Sequence, residues 1–347
     1  MPRQITAEIS KKPGPPAVAL DKKLFDDLAR DALQKYGLTP YWEAKLFLLS
    51  ENITYAVTNK LSGDRLMLRI SKPGYHPPEE LLAEVVWVEH LRKTTAIVTP
   101  EPQKGLNGEY INFIQSSLSE NIYTCVLYEF VEGGNPDESD ENLMLRSFVD
   151  LGEINGYLHK DAREWPQAAQ LPRFQWDFDA ILGKISRVGR WQDNPELDGE
   201  MIDLFGQCAA IIEKRLRKYG KNKNNYGLIH ADLRLSNLLV DGMTIRVIDF
   251  DDCGFSWYMF DAAAALSFIA HKPLAKHLLE NWLSGYQKVL PIAKADRAEI
   301  DTLIMARQLS MLGWLGCHQD SGPAKELNPG YTDGTVLMAE EYLRKHK

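Results

Sequence analysis

Few folds accommodate the stretch from Tyr226 to Asp252, in which a polar loop runs into a tight β-hairpin. The loop carries the pattern H-x-D-x-x-x-x-N from His230 to Asn237, and Asp241-Gly242 has the composition of a two-residue hairpin turn. The returning strand delivers Asp249 at its end. Because the two strands pair, we expect Asn237 and Asp249 to lie side by side although they are distant in sequence.

Oxygen ligands at adjacent strand ends suit Mg²⁺ when the ion is shared with substrate phosphates. Asn237 and Asp249 are therefore the predicted metal ligands. Phosphoryl transfer also needs a residue that orients or deprotonates the attacking hydroxyl, and Asp232 is the predicted base. The loop and the hairpin together predict a site for phosphoryl transfer.

This stretch resembles the catalytic loop of kinases, and more specifically that of the aminoglycoside phosphotransferase, choline kinase and type II homoserine kinase superfamily. Asp249-Phe250-Asp251 replaces the Asp-Phe-Gly of protein kinases, and a predicted helix starting at Asp261 follows closely. The resemblance covers roughly Leu46 to Leu315 and implies a kinase-like fold that uses ATP and Mg²⁺. It also implies that His230 packs and holds the loop rather than transferring a proton. Asp261 is expected to act as an N-cap and to anchor the loop backbone.

The rest of the chain predicts an α+β, protein-kinase-like fold with two lobes. Residues 21–132 are predicted to form a small, antiparallel β-rich N-lobe, and residues 133–347 a larger, mainly helical C-lobe. Residues 1–20 contain Lys11-Lys12-Pro13-Gly14-Pro15-Pro16, which opposes helix and sheet, and are predicted to be a flexible tail. Asp21 is the expected N-cap of a first amphipathic helix.

Hydrophobic periodicity predicts the elements of each lobe. The predicted N-lobe strands are Ala44–Leu49, Thr54–Asn59, Arg65–Ile70, Tyr110–Ile114 and Ile122–Phe130, with a helix over Pro78–Leu91. The predicted C-lobe helices are Asn142–Lys160, Gly199–Lys218, Asp261–Ala270, Ala275–Leu290 and Ala298–Cys317. One strand pair near Leu238–Ile248 is the expected exception.

Two N-lobe residues match the ion pair that kinases place between a strand and the next helix. Arg69 ends a predicted strand and Glu84 lies in the following helix. Kinases usually have Lys at the strand position, but Arg keeps the charge and can grip phosphate oxygens in a planar fork. A solvated surface pair is the alternative interpretation.

Two further segments are expected to contact the nucleotide. The turn containing Ser50 and Asn52 is similar to the one that covers the phosphates in type II homoserine kinases. The segment Val126–Gly133 resembles the interlobe hinge, which implies that backbone groups of Glu129 and Val131 bind adenine. An ordinary core strand is the alternative for the hinge segment.

The acceptor is predicted to be a small hydroxyl compound such as an amino alcohol, a hydroxy amino acid or an aminoglycoside-like molecule. The link between Asp249 and Asp261 is short, whereas protein kinases place a longer peptide-docking segment there. Asp251 and Asp252 are candidates for binding an amine or a second metal. An aromatic cage for an ammonium group is a further hypothesis, with core packing as the alternative; its members are Trp257, Tyr258, Trp176, Trp191 and Trp314.

Composition limits the classes of molecule that the protein is expected to bind. The net charge of −8 disfavours nucleic acid and anionic membranes, because such binding depends on clustered cationic side chains. The four cysteines form no C-x-x-C pair, and no apolar run is long enough to cross a bilayer, so a cytoplasmic location is expected. Oligomeric state stays open. The alternative functions are a protein serine/threonine kinase of bacterial stress-response type and a non-catalytic nucleotide-binding regulator.

Overall fold

The computed structural model of the protein describes residues 22–319 and 321–347. The predicted tail over residues 1–20 and the expected N-cap Asp21 lie outside the described residues. None of the helices in the described part of the chain combines the length and the apolar composition needed to span a bilayer.

The N-terminal region is an antiparallel sheet flanked by two helices. Its elements are α1 (Lys22–Lys35), β1 (Trp42–Leu49), β2 (Asn52–Asn59), β3 (Arg65–Ser71), α2 (Pro78–Thr94), β4 (Pro102–Gln103), β5 (Asn112–Ile114) and β6 (Tyr123–Glu129). The strand order is β1-β2-β3-β6-β4, and β5 also pairs with β6. Arg69 lies on the central strand β3, opposite Thr54 of β2 and Val126 of β6.

Apolar spacing explains how α1 joins this sheet. Phe25, Leu28 and Ala32 recur at helical intervals and are buried in one cluster with Ile53 and Leu68 of the strands. The helix therefore covers one face of the sheet.

The C-terminal region is mainly helical. Its elements are α3 (Glu141–Glu164), α4 (Phe178–Ile181), α5 (Gly199–Tyr219), β7 (Tyr226–Ile229), β8 (Leu238–Asp241), β9 (Thr244–Val247), β10 (Gly254–Trp257), α6 (Phe260–Ala265), α7 (Ala275–Gln287), α8 (Lys294–Cys317), α9 (Gly322–Leu327) and α10 (Tyr331–His346). An antiparallel sheet followed by a helical region is the α+β architecture that the sequence predicts, and that prediction is confirmed.

Glycine allows α3 and α7 to pack against each other at unusually close range. A Cβ atom at Gly152 of α3 would overlap the backbone of Trp282, and one at Gly285 of α7 would overlap the backbone of Val149. Because α3 also carries His159, which contacts Asp261 at the start of α6, this packing fixes one support of the site.

Two details of the predicted C-terminal elements are wrong. The helix expected over Asp261–Ala270 ends at Ala265, and Phe268 has a left-handed backbone with φ of 67° that a continuous helix does not permit. The strand pair β8–β9 is not alone, since β7 and β10 form a second antiparallel pair. This second pair folds the short link after Asp249 back alongside the strand that enters the catalytic loop.

Candidate active site

Asp261 holds the backbone at the start of the catalytic loop. Its fully buried carboxylate accepts hydrogen bonds from the N–H groups of His230 at 3.2 Å and Ala231 at 2.7 Å, and lies 3.0 Å from Nε2 of His159. Ala231 has a φ of 67°, a strained conformation for a residue with a Cβ, and these contacts hold it in place. Asp261 is not an N-cap, because α6 begins at Phe260 and has no side-chain cap, so that part of the prediction is wrong.

His230 is fully buried beneath the loop. Burial lowers the pKa of its imidazole, which favours the neutral ring. Nε2 is 3.3 Å from the carbonyl of Ile248, and Nδ1 is 3.4 Å from the N–H of Asp232. A ring protonated on Nε2 satisfies both contacts, so the histidine connects the loop to the strand that leads to Asp249.

Asp232 lies among three nitrogen donors. Its Oδ1 is 2.7 Å from Nη2 of Arg307 and 3.2 Å from Nε of Arg234, and its Oδ2 accepts from the Asn237 amide at 3.1 Å. The Asp232 side chain is 16% exposed, so part of the carboxylate reaches the cleft. These contacts hold the carboxylate in one orientation.

The hairpin places Asn237 opposite Ile248, the residue immediately before Asp249. The N–H of Ile248 donates to the carbonyl of Asn237 at 3.0 Å, immediately beyond the paired strands β8 and β9. The Asn237 amide nitrogen is engaged by the Asp232 carbonyl at 2.8 Å, which leaves its Oδ1 as the atom able to bind a cation.

Asp249 combines an unusual backbone with a perturbed carboxyl. Its φ is 63°, and its side chain is exposed to the cleft. Desolvation by the surrounding protein, followed by the charge of Asp251, raises the pKa of Asp249 to about 8. A carboxylate whose ionised form is disfavoured in this way fits a site that a divalent cation completes. No cluster of three or more His, Cys, Asp or Glu able to hold a metal occurs within residues 22–319 and 321–347, so phosphate or water oxygens would have to supply the remaining ligands.

Arg69 and Glu84 form the expected ion pair, and it is buried. Nη2 of Arg69 is 2.6 Å from Oε2 of Glu84, and the two side chains are only 11% and 2% exposed. The hydroxyl of Tyr128 donates to the other Glu84 oxygen at 3.3 Å. The alternative of a solvated surface pair is therefore wrong.

Asp251 connects the N-terminal region to the catalytic strand. One oxygen accepts from the Asn52 amide at 2.9 Å and lies 3.7 Å from Nε2 of His76, while the other is 3.6 Å from Arg69. Burial alone would raise the pKa of Asp251, but Arg69 and His76 hold it below its ordinary value. Its oxygens are thus occupied by protein cations and donors.

Asp252 differs from its neighbour although both belong to the same short run. It is half-buried, and its carbonyl accepts from Nε1 of Trp176 at 2.7 Å. Burial and then the charge of Asp232 raise the pKa of its carboxyl, while Arg307 opposes the shift. Asp252 is therefore electrostatically coupled to the predicted base.

The predicted nucleotide contacts divide into two groups. In the turn between β1 and β2, Asn52 is 7% exposed and is engaged by Asp251, while the Ser50 carbonyl accepts from Lys72. At the predicted hinge, the Glu129 N–H donates to the Glu101 carbonyl at 2.8 Å, so only its carbonyl could face adenine. Val131 makes no backbone hydrogen bond to another backbone group in the described part of the chain.

The five predicted cage aromatics do not converge, which corrects that hypothesis. Trp257 is 2% exposed and donates from Nε1 to the Gly220 carbonyl, so it belongs to the core and does not reach an acceptor. Trp176 and Trp191 are also buried, and they pack against Phe174 and Phe205 respectively. Tyr258 is 4% exposed and faces Arg163.

Trp314 is the exception, because it reaches the cleft. Its Nε1 donates to the Glu51 carboxylate at 2.9 Å, and its ring stacks on His318 with centroids 4.8 Å apart. Glu51 belongs to the turn between β1 and β2, so this contact joins the N-terminal region to α8.

Sequence reasoning did not identify Arg307, Arg234 or His76. Arg234 is only two residues from Asp232, so its proximity is a usable signal. Arg307 interrupts the apolar pattern of α8 between Leu303 and Leu315, and a lone arginine in a buried helix is a usable signal as well.

The fold and this site together define a class of protein, the phosphotransferases that have a kinase-like architecture. Residues 49–301 match the model of the phosphotransferase enzyme family. The chain belongs to that family, and it is a small-molecule phosphotransferase, as the sequence predicts.

Relatives agree with this assignment. The chain is 26% identical over 259 residues to the amicoumacin kinase of Bacillus subtilis (strain 168), covering 74% of this chain and 72% of that protein. The structure of the microcompartment-associated aminopropanol kinase matches with a TM-score of 0.82 and 34% identity, covering 92% of this chain and 97% of the other. The amicoumacin kinase hAmiN, in complex with AMP-PNP, Ca²⁺ and Ami, matches with a TM-score of 0.71 and 20% identity over 89% of this chain and 92% of the other.

Proposed function

We propose that this enzyme transfers the γ-phosphate of ATP to the hydroxyl of a small amino alcohol. The observation that carries the proposal is that Asn237 bonds to Asp232 while Asp249, which follows the residue opposite Asn237, interacts electrostatically with Asp232 and with the Arg69 of the buried Arg69–Glu84 pair. Phosphoryl transfer needs positioned phosphates, neutralised charge and an oriented hydroxyl, and these residues are suited to the three tasks.

The nucleotide and metal roles follow from the chemistry of each group. Asn237 Oδ1 and the Asp249 carboxylate would hold Mg²⁺, which when bound neutralises charge on the β- and γ-phosphates. Arg69, oriented by Glu84, would contact phosphate oxygens. The carbonyl of Glu129 and the backbone of Val131 would hydrogen-bond adenine.

Asp232 would accept the hydrogen bond of the acceptor hydroxyl and take its proton as the oxygen attacks phosphorus. The amine of the acceptor would lie near Asp252, whose ionised form is disfavoured by burial and by the charge of Asp232 and would be stabilised by a cationic group. The 34% identity to an aminopropanol kinase over 92% of this chain supports an amino alcohol over a sugar or a free hydroxy acid.

The test is ADP release with Mg²⁺ATP across a panel of acceptors containing aminopropanol, ethanolamine, choline, homoserine, an aminoglycoside and a generic protein. We expect the amino alcohols to support turnover and the protein to support none. Turnover with the protein alone would contradict the proposal, and an absence of ATP binding at millimolar concentration with Mg²⁺ would end it.

Two substitutions test the roles proposed for Asp232 and Asp249. Asp232→Asn should leave Mg²⁺ATP affinity nearly unchanged and lower kcat about a hundredfold or more, the range of lost general-base assistance. Asp249→Ala removes a metal ligand and should damage nucleotide binding and turnover together. Asp241→Asn is the matched control, because Asp241 is an exposed turn residue and Asn-Gly forms the same hairpin turn. Full turnover by Asp232→Asn would move the base to another carboxylate.

A further inference from the structure

Arg307 is a buried cation on α8 with two defined partners. Its side chain is 5% exposed, its Nη2 lies 2.7 Å from Oδ1 of Asp232, and its Nε donates to the Ser267 hydroxyl at 2.8 Å. Asp232 is the only carboxylate paired with it within residues 22–319 and 321–347. A guanidinium is costly to bury, so its retention beside this one carboxylate calls for an explanation.

The five donor contacts to the Asp232 carboxylate differ in length between its two oxygens. Oδ1 receives Arg307 at 2.7 Å and Arg234 at 3.2 Å, which uses both of its lone pairs. Oδ2 receives Asn237 at 3.1 Å and Arg234 only at 3.4 Å. Oδ2 therefore retains the capacity to accept one strong hydrogen bond from a hydroxyl.

We propose that Arg307 is a positioning residue that holds Oδ1 of Asp232 so that Oδ2 faces the acceptor hydroxyl. This inference rests on the proposed function, in which Asp232 orients and deprotonates the acceptor. Arg307 does not touch the reacting atoms; it acts through the carboxylate. Its guanidinium is itself held by Ser267, which is 6% exposed and lies just beyond α6.

Geometry distinguishes Arg307 from the second guanidinium. Arg234 is 27% exposed, follows Asp232 by two residues and makes only contacts of 3.2 Å or longer to it. Arg307 comes from a helix 75 residues further along the chain and makes the shortest contact. The orientation of Asp232, the predicted base, therefore depends on the position of α8.

The experiment is a double-mutant cycle with aminopropanol as the acceptor. Arg307→Met keeps the length and apolar stem but removes the donors, and should lower kcat about a hundredfold, as misplacement of a reacting group does, with the KM for ATP unchanged. The double variant Asp232→Asn/Arg307→Met should be no slower than Asp232→Asn alone, because Arg307 acts only through Asp232. Arg307→Lys should recover part of the rate, since one ammonium cannot reach both partners in the same geometry.

A control separates catalysis from folding. Arg215→Met removes another guanidinium that contacts α8, through Glu299 at 2.9 Å and Thr302 at 2.7 Å, and should lower stability without changing kcat. If Arg307→Met does not fold, Ser267→Ala provides the test, with a smaller fall in kcat and no change in the KM for ATP. The double variant Asp232→Asn/Ser267→Ala should also be no slower than Asp232→Asn alone.

The outcomes distinguish the two hypotheses. If Asp232→Asn keeps full turnover, the proposed function fails and this inference fails with it. If Asp232→Asn is slow while Arg307→Met stays within twofold of wild type, or if the two losses multiply, only the positioning role is overturned.

Discussion

Asp251 and Asp252 are neighbours in sequence, and the structure predicts opposite effects on stability when each is replaced by Asn. The Asp251 carboxylate is stabilised by three residues of the N-terminal region, and its pKa is held below the ordinary range. Burial and the charge of Asp232 raise the pKa of Asp252. Because the two variants make the same chemical change one residue apart, each is the control for the other.

The magnitude for Asp251 follows from its contacts. It accepts from Asn52 at 2.9 Å and lies 3.6 Å from Arg69 and 3.7 Å from His76. Hydrogen bonds to a charged group contribute about 1.5–3 kcal/mol. Arg69 keeps Glu84 and His76 keeps Glu80 after the change, so no cation is left fully unpaired and the loss should stay in that range.

This loss converts into a measurable melting shift. An unfolding entropy of about 2.1 cal/mol/K per residue gives about 0.7 kcal/mol/K for the 347-residue chain. Asp251→Asn should therefore lower the Tm by about 2–4 °C at pH 7. Asp252→Asn should leave it unchanged or raise it, because the substitution removes a disfavoured charge.

The pKa shifts in the folded state predict how the stability difference of each variant changes with pH. A folded pKa of Asp251 below the unfolded value of about 3.9 gives stability that is present at both pH 5 and pH 8. Burial lowers the pKa of His76, but its contacts with Asp251 and Glu80 raise it overall, and stability from a raised histidine pKa is lost as pH rises through it. The Asp251→Asn deficit should therefore be larger at pH 5 than at pH 8. A raised folded pKa gives stability that is lost as pH rises through it, so the advantage of Asp252→Asn should be larger at pH 8 than at pH 5.

Thermal melting at these two pH values, with a Mg²⁺ titration of activity, checks the reasoning. If Asp251 only stabilises the contact between the N-terminal region and the catalytic strand, Asp251→Asn should need no more Mg²⁺ for activity than the wild type. An unchanged Tm together with a tenfold higher Mg²⁺ requirement for Asp251→Asn would show instead that Asp251 is a second metal ligand.

Two further predictions concern the nucleotide side of the cleft. Arg69→Ala leaves Glu84, which is 2% exposed, without its cation, so the KM for ATP should rise strongly, whereas Arg69→Lys should keep appreciable activity; wild-type ATP titrations for Arg69→Ala would refute the role. Glu51→Gln removes the charge that Trp314 contacts at 2.9 Å, and should raise the KM for ATP a few-fold with little change in Tm; additive effects with Trp314→Phe would show that the contact has no function.

Local pattern explains why the centre of the site was predictable from sequence. The loop from Asp232 to Asn237 leads directly into the hairpin with its Asp-Gly turn, and Asp249 follows the returning strand, so chain geometry alone brings these residues close together. The Arg69–Glu84 pair was predictable for a similar reason, since a strand and the next helix are adjacent.

Tertiary contacts explain what the sequence did not reveal. Asp251 and Asp252 look alike in the sequence. Arg69 and His76 stabilise the ionised carboxylate of Asp251, whereas the charge of Asp232 disfavours that of Asp252, and only the folded structure reveals this difference. The aromatic cage failed because aromatic content near a motif does not fix which face of an element is buried. Trp257 shows this, since it lies on the inner face of β10.

Helix α8 relates the two sides of the cleft to each other. Arg307 contacts Asp232, and Trp314 contacts Glu51 in the turn between β1 and β2, which is predicted to contact the nucleotide. The two residues are seven positions apart, which is close to two helical turns, so they lie on the same face of one rigid element. A movement of the β1–β2 turn that shifts Trp314 would therefore also shift the guanidinium that holds Asp232. In the proposed mechanism the helix would thus couple the β1–β2 turn to the orientation of Asp232, although no residue of α8 belongs to the sequence motif of the catalytic loop.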